Sequence, residues 1–454
     1  MPAQVARTTT LGRVRHARTR PRPVVSVIIA AVLVVGGAAG AGFAAYRATD
    51  DPPGPGVDAA ATRGTTPGPA PSTAPTPTPA PTADPDATFT IVAAGDFLMH
   101  GPVNADAATP GGGYDYSAEL APLDPWIQGA DLALCHLEVP VAPPGTKPSG
   151  YPVFGSPAQI IPAIKAQGWD GCSTASNHSV DRGFAGIRTT LDDLDAAGLG
   201  HSGTARSAAE EATPQLYRLE RAGRTITVAD IAATYATNGM PVDADKPWSV
   251  DRIDVPRIVA QATAARAAGA DFVIATIHAG NEYQTQPDAQ QQQVSQQLAD
   301  SGVIDLVIGH HVHVPQPIAK LTGGPRGEGM WVAYGLGNYT SNQDASTVGI
   351  ARTDSGILLT VHVTSQGAFP AEGRAAGPAR VTGVEWTPIT VDRRGGHKVY
   401  AMPDIAHGTH TLPAAEVAAR AARVAAAAGT AAPERTTPLT PTGPPPVVVP
   451  RAAS

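Results

Sequence analysis

The chain has 454 residues, 42% of them apolar, enough for one large core or two smaller ones. Its 32 basic and 39 acidic residues leave a formal charge of -7, so no global basic excess points to nucleic acid. Two cysteines, Cys135 and Cys172, exclude a disulfide scaffold and a four-cysteine zinc site and allow one bridge at most.

The chain opens on a basic head, residues 1–23, which carries six arginines and no acid. Residues 24–46 follow without a charge. As a helix this run would span about 35 Å, enough for a bilayer core. The arginines on its N-terminal side predict a single-pass anchor with the N-terminus cytoplasmic and the remainder extracytoplasmic. The length of the head and of the run favours an anchor over a cleaved signal peptide, although the small residues GGAAGAG keep cleavage open. Residues 47–87 form a Pro/Thr/Ala-rich linker, with eleven prolines between 51 and 87, which cannot bury a core and reads as an extended stalk.

The body begins near residue 88 and alternates strand with helix. Strand-like runs are Thr88–Ala94, Asp131–His136, Asp170–Ala175, Thr225–Ile231, Asp271–Ile277, Asp305–Ile308 and Met330–Tyr334. Helical spacing marks Pro157–Gln167, Phe184–Ala197, Pro256–Ala268 and Ala289–Ser301, several of them stopped by Gly. Residues 346–412 add a β-rich extension, and 413–454 read as an Ala-rich helix start followed by a disordered Pro-rich tail. The alternation predicts an α/β body with a sheet covered by helices.

Chemistry collects at the ends of these strands. The first runs into Asp96 and His100, the next into His136 and Glu138, the third into Asn177, His178 and Asp181. Later strands run into His278 and Glu282, then His310, His311 and His313, then Asn338. Ligands of open α/β sheets bind at the carboxyl ends of strands, so these groups converge. Imidazole with carboxylate suits Zn, Mn or Fe. The set is too large for one tetrahedral ion and suits two divalent metals sharing a carboxylate, a centre that clamps phosphate and activates water.

Asp96, Glu138, Asn177, His278, His311 and His313 are the candidate ligands. His311 and His313, two apart in an extended segment, would share one side, with His310 facing the other way. His178 is the candidate proton donor, with Asp181 to orient it. His100, His136, Glu282, His310 and Asn338 are candidates for an outer or substrate-facing role.

The motifs GDFLMH, DLALCHLEVP, STASNHSVD, IHAGNEY, LVIGHHVHVP and YGLGNY, in this order from about Thr88 to Tyr339, resemble those of CapA-type proteins of poly-γ-glutamate capsule synthesis. That family is a relative of the calcineurin-like metallophosphatases. The resemblance implies a four-layer αββα sandwich over 88–345. It also implies Asp96 as the first-motif aspartate, Glu138 as a bridging carboxylate, His178 as general acid, and Asn177, His278, His311 and His313 as ligands. The sequence departs from the pattern in places. His136 stands for an Asn, Ala279 for a Trp that would wall the site, and Leu98 for the His of an Asp-x-His motif, a loss for which His100 could compensate or which would leave one metal weakly held.

The expected function is a membrane-anchored, extracytoplasmic, metal-dependent hydrolase acting on a phosphoester or envelope polymer in capsule synthesis. Its expected partners are the membrane, an anionic envelope polymer and a membrane polymer synthase, with no nucleic acid. The alternatives are a non-catalytic polymer-binding or scaffolding protein with a structural or degenerate metal site, and an amide-cleaving role on peptidoglycan.

Overall fold

The computed structural model describes residues 83–451. The head 1–23, the apolar run 24–46 with its expected membrane span, and nearly all of the 47–87 linker lie outside the described residues. Among the described residues no helix is long and apolar enough to cross a membrane.

In chain order the strands are β1 (Ala87–Phe97), β2 (Leu132–Leu137), β3 (Gly171–Ser173), β4 (Gly200–Ser202), β5 (Gln215–Arg221), β6 (Arg224–Thr234), β7 (Phe272–His278) and β8 (Leu306–His310). They continue as β9 (Ile318–Leu321), β10 (Met330–Ala333), β11 (Asn338–Thr340), β12 (Ser355–Ser365), β13 (Ala379–Asp392), β14 (Lys398–Ala401) and β15 (Val447–Val449). One sheet has the order β14-β13-β12-β1-β2-β3-β4, with β11 beside the end of β1; the other runs β15-β5-β6-β7-β8-β10-β9. Strands β1 to β4 are parallel, as are β6, β7, β8 and β10, so their carboxyl ends point the same way within each sheet.

Side-chain alternation builds the layers. On β1, Ile91 and Ala93 pack between the sheets, while Val92 and Ala94 pack against outer helices. On β7, Phe272 and Ile274 face inward, whereas Val273, Ala275 and Ile277 meet the helices Val255–Ala267 and Ala289–Asp300. Helices Ile160–Gln167 and Gly183–Ala196 cover the first sheet through Ile160, Ile164, Ile187, Leu191 and Leu194. The four-layer αββα sandwich implied by the motifs is therefore present. Helix starts follow their signals: Asp254 and Asp288 cap through side-chain oxygens, and Gly168 ends its helix at φ 110°. Cys135 and Cys172 face each other across β2 and β3 and are joined as a disulfide.

The C-terminal segment corrects the reading of 413–454 as a disordered tail. Ala414–Ala428 is a helix whose Val417, Val424 and Ala428 recur along one face and enter the core between the sheets. The Pro-rich stretch beyond it returns to the body. Thr442 N donates to Asp131 Oδ1 (2.6 Å), β15 pairs antiparallel with β5, and buried Arg451 donates to His201 O (3.0 Å). Local composition marks this stretch as unable to form a core of its own; the long-range pairing that orders it is invisible in sequence.

Candidate metal centre

The site forms where β1, β2 and β3 of one sheet and β7 and β8 of the other end together. Register places the groups: Asp96 lies opposite His136 on β2 and opposite Asn338 on β11, His136 opposite Ser173, and His278 opposite His310. Two glycines permit this crowding. A Cβ at Gly95, one residue before Asp96, would run into the Gly337 carbonyl oxygen, and one at Gly309, before His310, into that of Tyr334. Beyond β8 the chain does not continue extended. His311 and His313 have φ of 90° and 58°, a left-handed conformation that non-glycine residues adopt at a cost and that recurs at functional sites.

That turn overturns the expectation that His310 faces away. All three histidines reach the centre, but from a bent segment and not from alternate positions of a strand. His310 Nδ1 lies 3.1 Å from Asp96 Oδ1, and His313 Nδ1 lies 3.1 Å from Asp96 Oδ2. His278 Nε2 is 2.8 Å from Asn177 Oδ1 and 3.9 Å from Glu138 Oε1; His313 Nε2 is 3.8 Å from the same Glu138 oxygen. His136 Nε2 lies 2.9 Å from His278 Nδ1, and its Nδ1 is held by Ser173 Oγ at 2.7 Å.

Three overlapping groups have ligand atoms close enough to hold a metal: Asp96 with His136 and His310, Asp96 with Glu138 and His313, and Glu138 with His278 and His311. Each carboxylate is shared by two groups. Asp96, Glu138, His136 and His278 are at most 1% exposed. Yet Asp96 Oδ2, both oxygens of Glu138 and His311 Nδ1 are buried without a hydrogen bond. Buried polar atoms left unpaired in this way are costly, and divalent cations shared between these groups would satisfy them. The donor set thus fits metal ions.

The electrostatics agree. Burial opposes ionisation of Asp96, but the adjacent imidazoles of His310 and His313 override it and hold the carboxyl well below its ordinary range. Burial, aided by neighbouring imidazoles, keeps His136 and His278 neutral, and pushes His311 down to about 3. Neutral imidazole is the ligand form. Burial also raises Glu138 well above the usual carboxylate value. For His313 burial works against protonation, but the charges of Glu138 and Asp96 raise it to about 10.

A cleft of about 710 Å³ opens above the centre, and Asn177, His178, Asp181, Glu282 and His313 line it. His178 Nδ1 donates to Asp181 Oδ2 (2.7 Å), which also accepts from Phe154 N (2.7 Å), while the Phe154 ring meets the His178 ring edge to face. Asp181 therefore orients His178 as its position suggests. Asn338 Oδ1 accepts from His313 Nδ1 (3.1 Å). His100 does not replace the missing histidine at 98. It belongs to no metal-holding group and lines the cleft, with Nδ1 3.2 Å from Asn342 N, and burial holds it down at about 3. Leu98 presents an apolar wall. Ala279 is buried in the core outside the second sheet, so a Trp at this position would not wall the cleft as built; Tyr151, Phe154 and Tyr283 supply the aromatic surface. Sequence reasoning missed Ser173, Phe154 and Asn238, which carry no motif signal, and Tyr283, whose place beside Glu282 was one.

Comparison with known proteins places these features in a family. Residues 90–343 match the family model described as bacterial capsule synthesis protein PGA_cap. A PGA biosynthesis protein CapA of Bacillus subtilis is 26% identical over 215 residues, 46% of this chain and 51% of that one. A capsule biosynthesis protein CapA of Bacillus anthracis is 25% identical over 46% of this chain and 48% of that one, so the chain spans about half the length of these two relatives. A probable polyglutamine synthesis accessory protein of Mycobacterium tuberculosis is 27% identical over 60% of this chain and 76% of that one. Among solved structures, the calcineurin-like phosphoesterase YfkN of Bacillus subtilis is 16% identical, with a TM-score of 0.38 over 67% of this chain and 91% of that one; the fold assignment rests on the two sheets themselves. With more than half of its length matched by the family model, the chain belongs to the bacterial capsule synthesis protein PGA_cap family.

Proposed function

We propose that this protein is a membrane-anchored, extracytoplasmic member of a capsule or poly-γ-glutamate-type polymer pathway, and that its centre is a two-metal hydrolase site for a phosphoester or a glutamyl-type envelope polymer. One observation carries the reading: two buried carboxylates, Asp96 and Glu138, each shared between imidazole groups, with oxygens that no protein donor satisfies. Glu138, Asn177, His278 and His311 would hold one ion, and Asp96, Glu138 and His313 the other, with His136 and His310 closing the Asp96 side. Two divalent ions (Mn, Zn or Fe) would supply Lewis acidity and activated water.

The chain's own residues supply the rest. His178 stands at the cleft with its Nδ1 proton fixed on Asp181, which leaves Nε2 to serve the departing oxygen or nitrogen. Phe154 packs against that ring and its backbone N–H holds Asp181, so the pair is oriented before substrate arrives. The names of the Bacillus relatives support the capsule role. The Cys135–Cys172 disulfide supports an oxidising compartment outside the membrane, and the apolar run 24–46 supports the anchor. A membrane polymer synthase is the expected protein partner.

The test is turnover by the metal-loaded full chain on a phosphodiester and on γ-glutamyl oligomers. His178→Ala should lower kcat at least about 100-fold and Asp181→Asn by a smaller factor, both with metal content unchanged. A specific observation favours one second reading: Leu98 removes a ligand position of the related phosphatases. A chain that binds two metals and turns over neither substrate would be a polymer-binding scaffold.

A further inference from the structure

The cleft above the metal centre has an unusual wall for a site meant to receive a polyanion. None of its described lining residues is Lys or Arg. Three of the cations near it in the chain are committed elsewhere, while Lys147 and Arg352, both exposed, are not among the lining residues. Arg182 donates to Phe154 O and Lys147 O, Arg393 to Asn342 Oδ1, and Lys246 pairs with Asp243 and Asp245. Of the ionisable lining residues, Asp181 is buried against His178 and His313 faces the metal centre, whereas Glu282 is exposed at the opening.

The remainder of the wall is amide and aromatic. Asn238, Asn342 and Gln343 line it. Asn238 uses its Oδ1 to accept from Asn177 Nδ2 (3.2 Å), which leaves its own N–H groups for a ligand. The Tyr151 ring is 77% exposed at the rim, and Tyr283 lies across from it on the Glu282 segment. Flat aromatic faces and primary amides match planar, neutral amide groups. A chain with a carboxylate on each unit would meet Glu282 with no Lys or Arg in the wall to compensate, and each like-charge contact near 4 Å weakens binding by about fivefold in water and by more against a drier wall.

We propose that the cleft takes a neutral polymer segment whose side carboxyls are capped as primary amides, and discriminates against the free polycarboxylate. The inference rests on the polymer reading above and adds the charge state of the units that enter. Charge for the reacting group comes from the metal centre; the walls select what flanks it.

The experiment is calorimetric titration of the full chain in detergent, loaded with Mn, with short γ-linked glutamyl oligomers in three forms: free α-carboxylates, α-primary amides and α-methyl esters. The amide form should bind about tenfold or more tightly than the free acid at low salt, and more tightly than the ester. Glu282→Gln should narrow the gap between amide and acid by tightening the acid. Equal or tighter binding of the free acid would overturn the proposal and leave the polymer reading standing. Equal binding of ester and amide would overturn the amide recognition. Failure of all three oligomers to bind a chain that holds its metals would overturn both.

Discussion

Glu138 is the residue whose replacement tests the centre most sharply. Its carboxylate is shared by two of the metal-holding groups, neither oxygen has a hydrogen bond, and burial raises its proton affinity. Glu138→Gln keeps the shape and removes the charge. Gln fills the same volume as the carboxyl it replaces, so without metal the variant should match the apo wild type to within about 1.5 kcal/mol. With metal at roughly 100 times its Kd, each occupied site adds about 2.7 kcal/mol. For a body of roughly 370 residues, unfolding entropy near 2 cal/mol/K per residue converts this to about 3.5 °C per site and about 7 °C for two. Differential scanning calorimetry with chelator and with Mn or Zn should show that rise in the wild type and less than half of it in Glu138→Gln. Because burial raises Glu138 and the neighbouring carboxylates raise His313 to about 10, metal must displace a proton from this pocket, and the wild-type rise should also grow with pH. A variant that keeps the full metal-dependent rise would refute the bridging role.

Two further predictions concern the scaffold. Ending the chain after Leu412 removes Val417 and Val424 from the core and β15 from the edge of β5, a loss on the order of 4 kcal/mol from the two valines alone, which calorimetry should register as a fall of about 5 °C or more; an unchanged Tm would contradict the packed tail. Glu119 is buried beside Asp106 and Asp115, and burial with those charges raises it to about 9. The native state then holds a proton that the unfolded chain has released, so stability should fall as pH rises from the ordinary carboxylate range toward 9, by up to about 1.4 kcal/mol per pH unit. Urea denaturation across that window should show the slope reduced in Glu119→Gln, and parallel profiles would contradict the assignment.

The centre was largely legible because parallel strands deliver their chain ends to one edge, so a sequence that places Asp96, Glu138, Asn177 and His278 just past apolar runs has declared where they meet. What stayed hidden depended on backbone direction after those ends. An extended chain would alternate His310 against His311 and His313, but β8 stops at His310 and the left-handed residues at 311 and 313 fold all three inward. Ala279 was misjudged for the same reason: just past a strand, spacing no longer fixes which way a side chain faces, whereas His100, read as outer or substrate-facing, lines the cleft. Strand β5 shows the opposite case. Gln215, Tyr217, Leu219 and Arg221 alternate as buried positions, a legible signal that a motif-led reading passes over. The helix after Pro413 was legible in its Ala-rich start, but the Pro-rich stretch beyond it was illegible in kind, since its end is ordered by partners more than 200 residues away, such as β5.

The account's central claim is a metal centre built on Asp96 and Glu138, and elemental analysis of the purified full chain tests it most directly. The account predicts about two divalent ions per chain, with loss in His278→Ala and in the double variant His311→Ala with His313→Ala. No metal above background after reconstitution with Mn, Zn or Fe, in a chain that unfolds cooperatively, would contradict it.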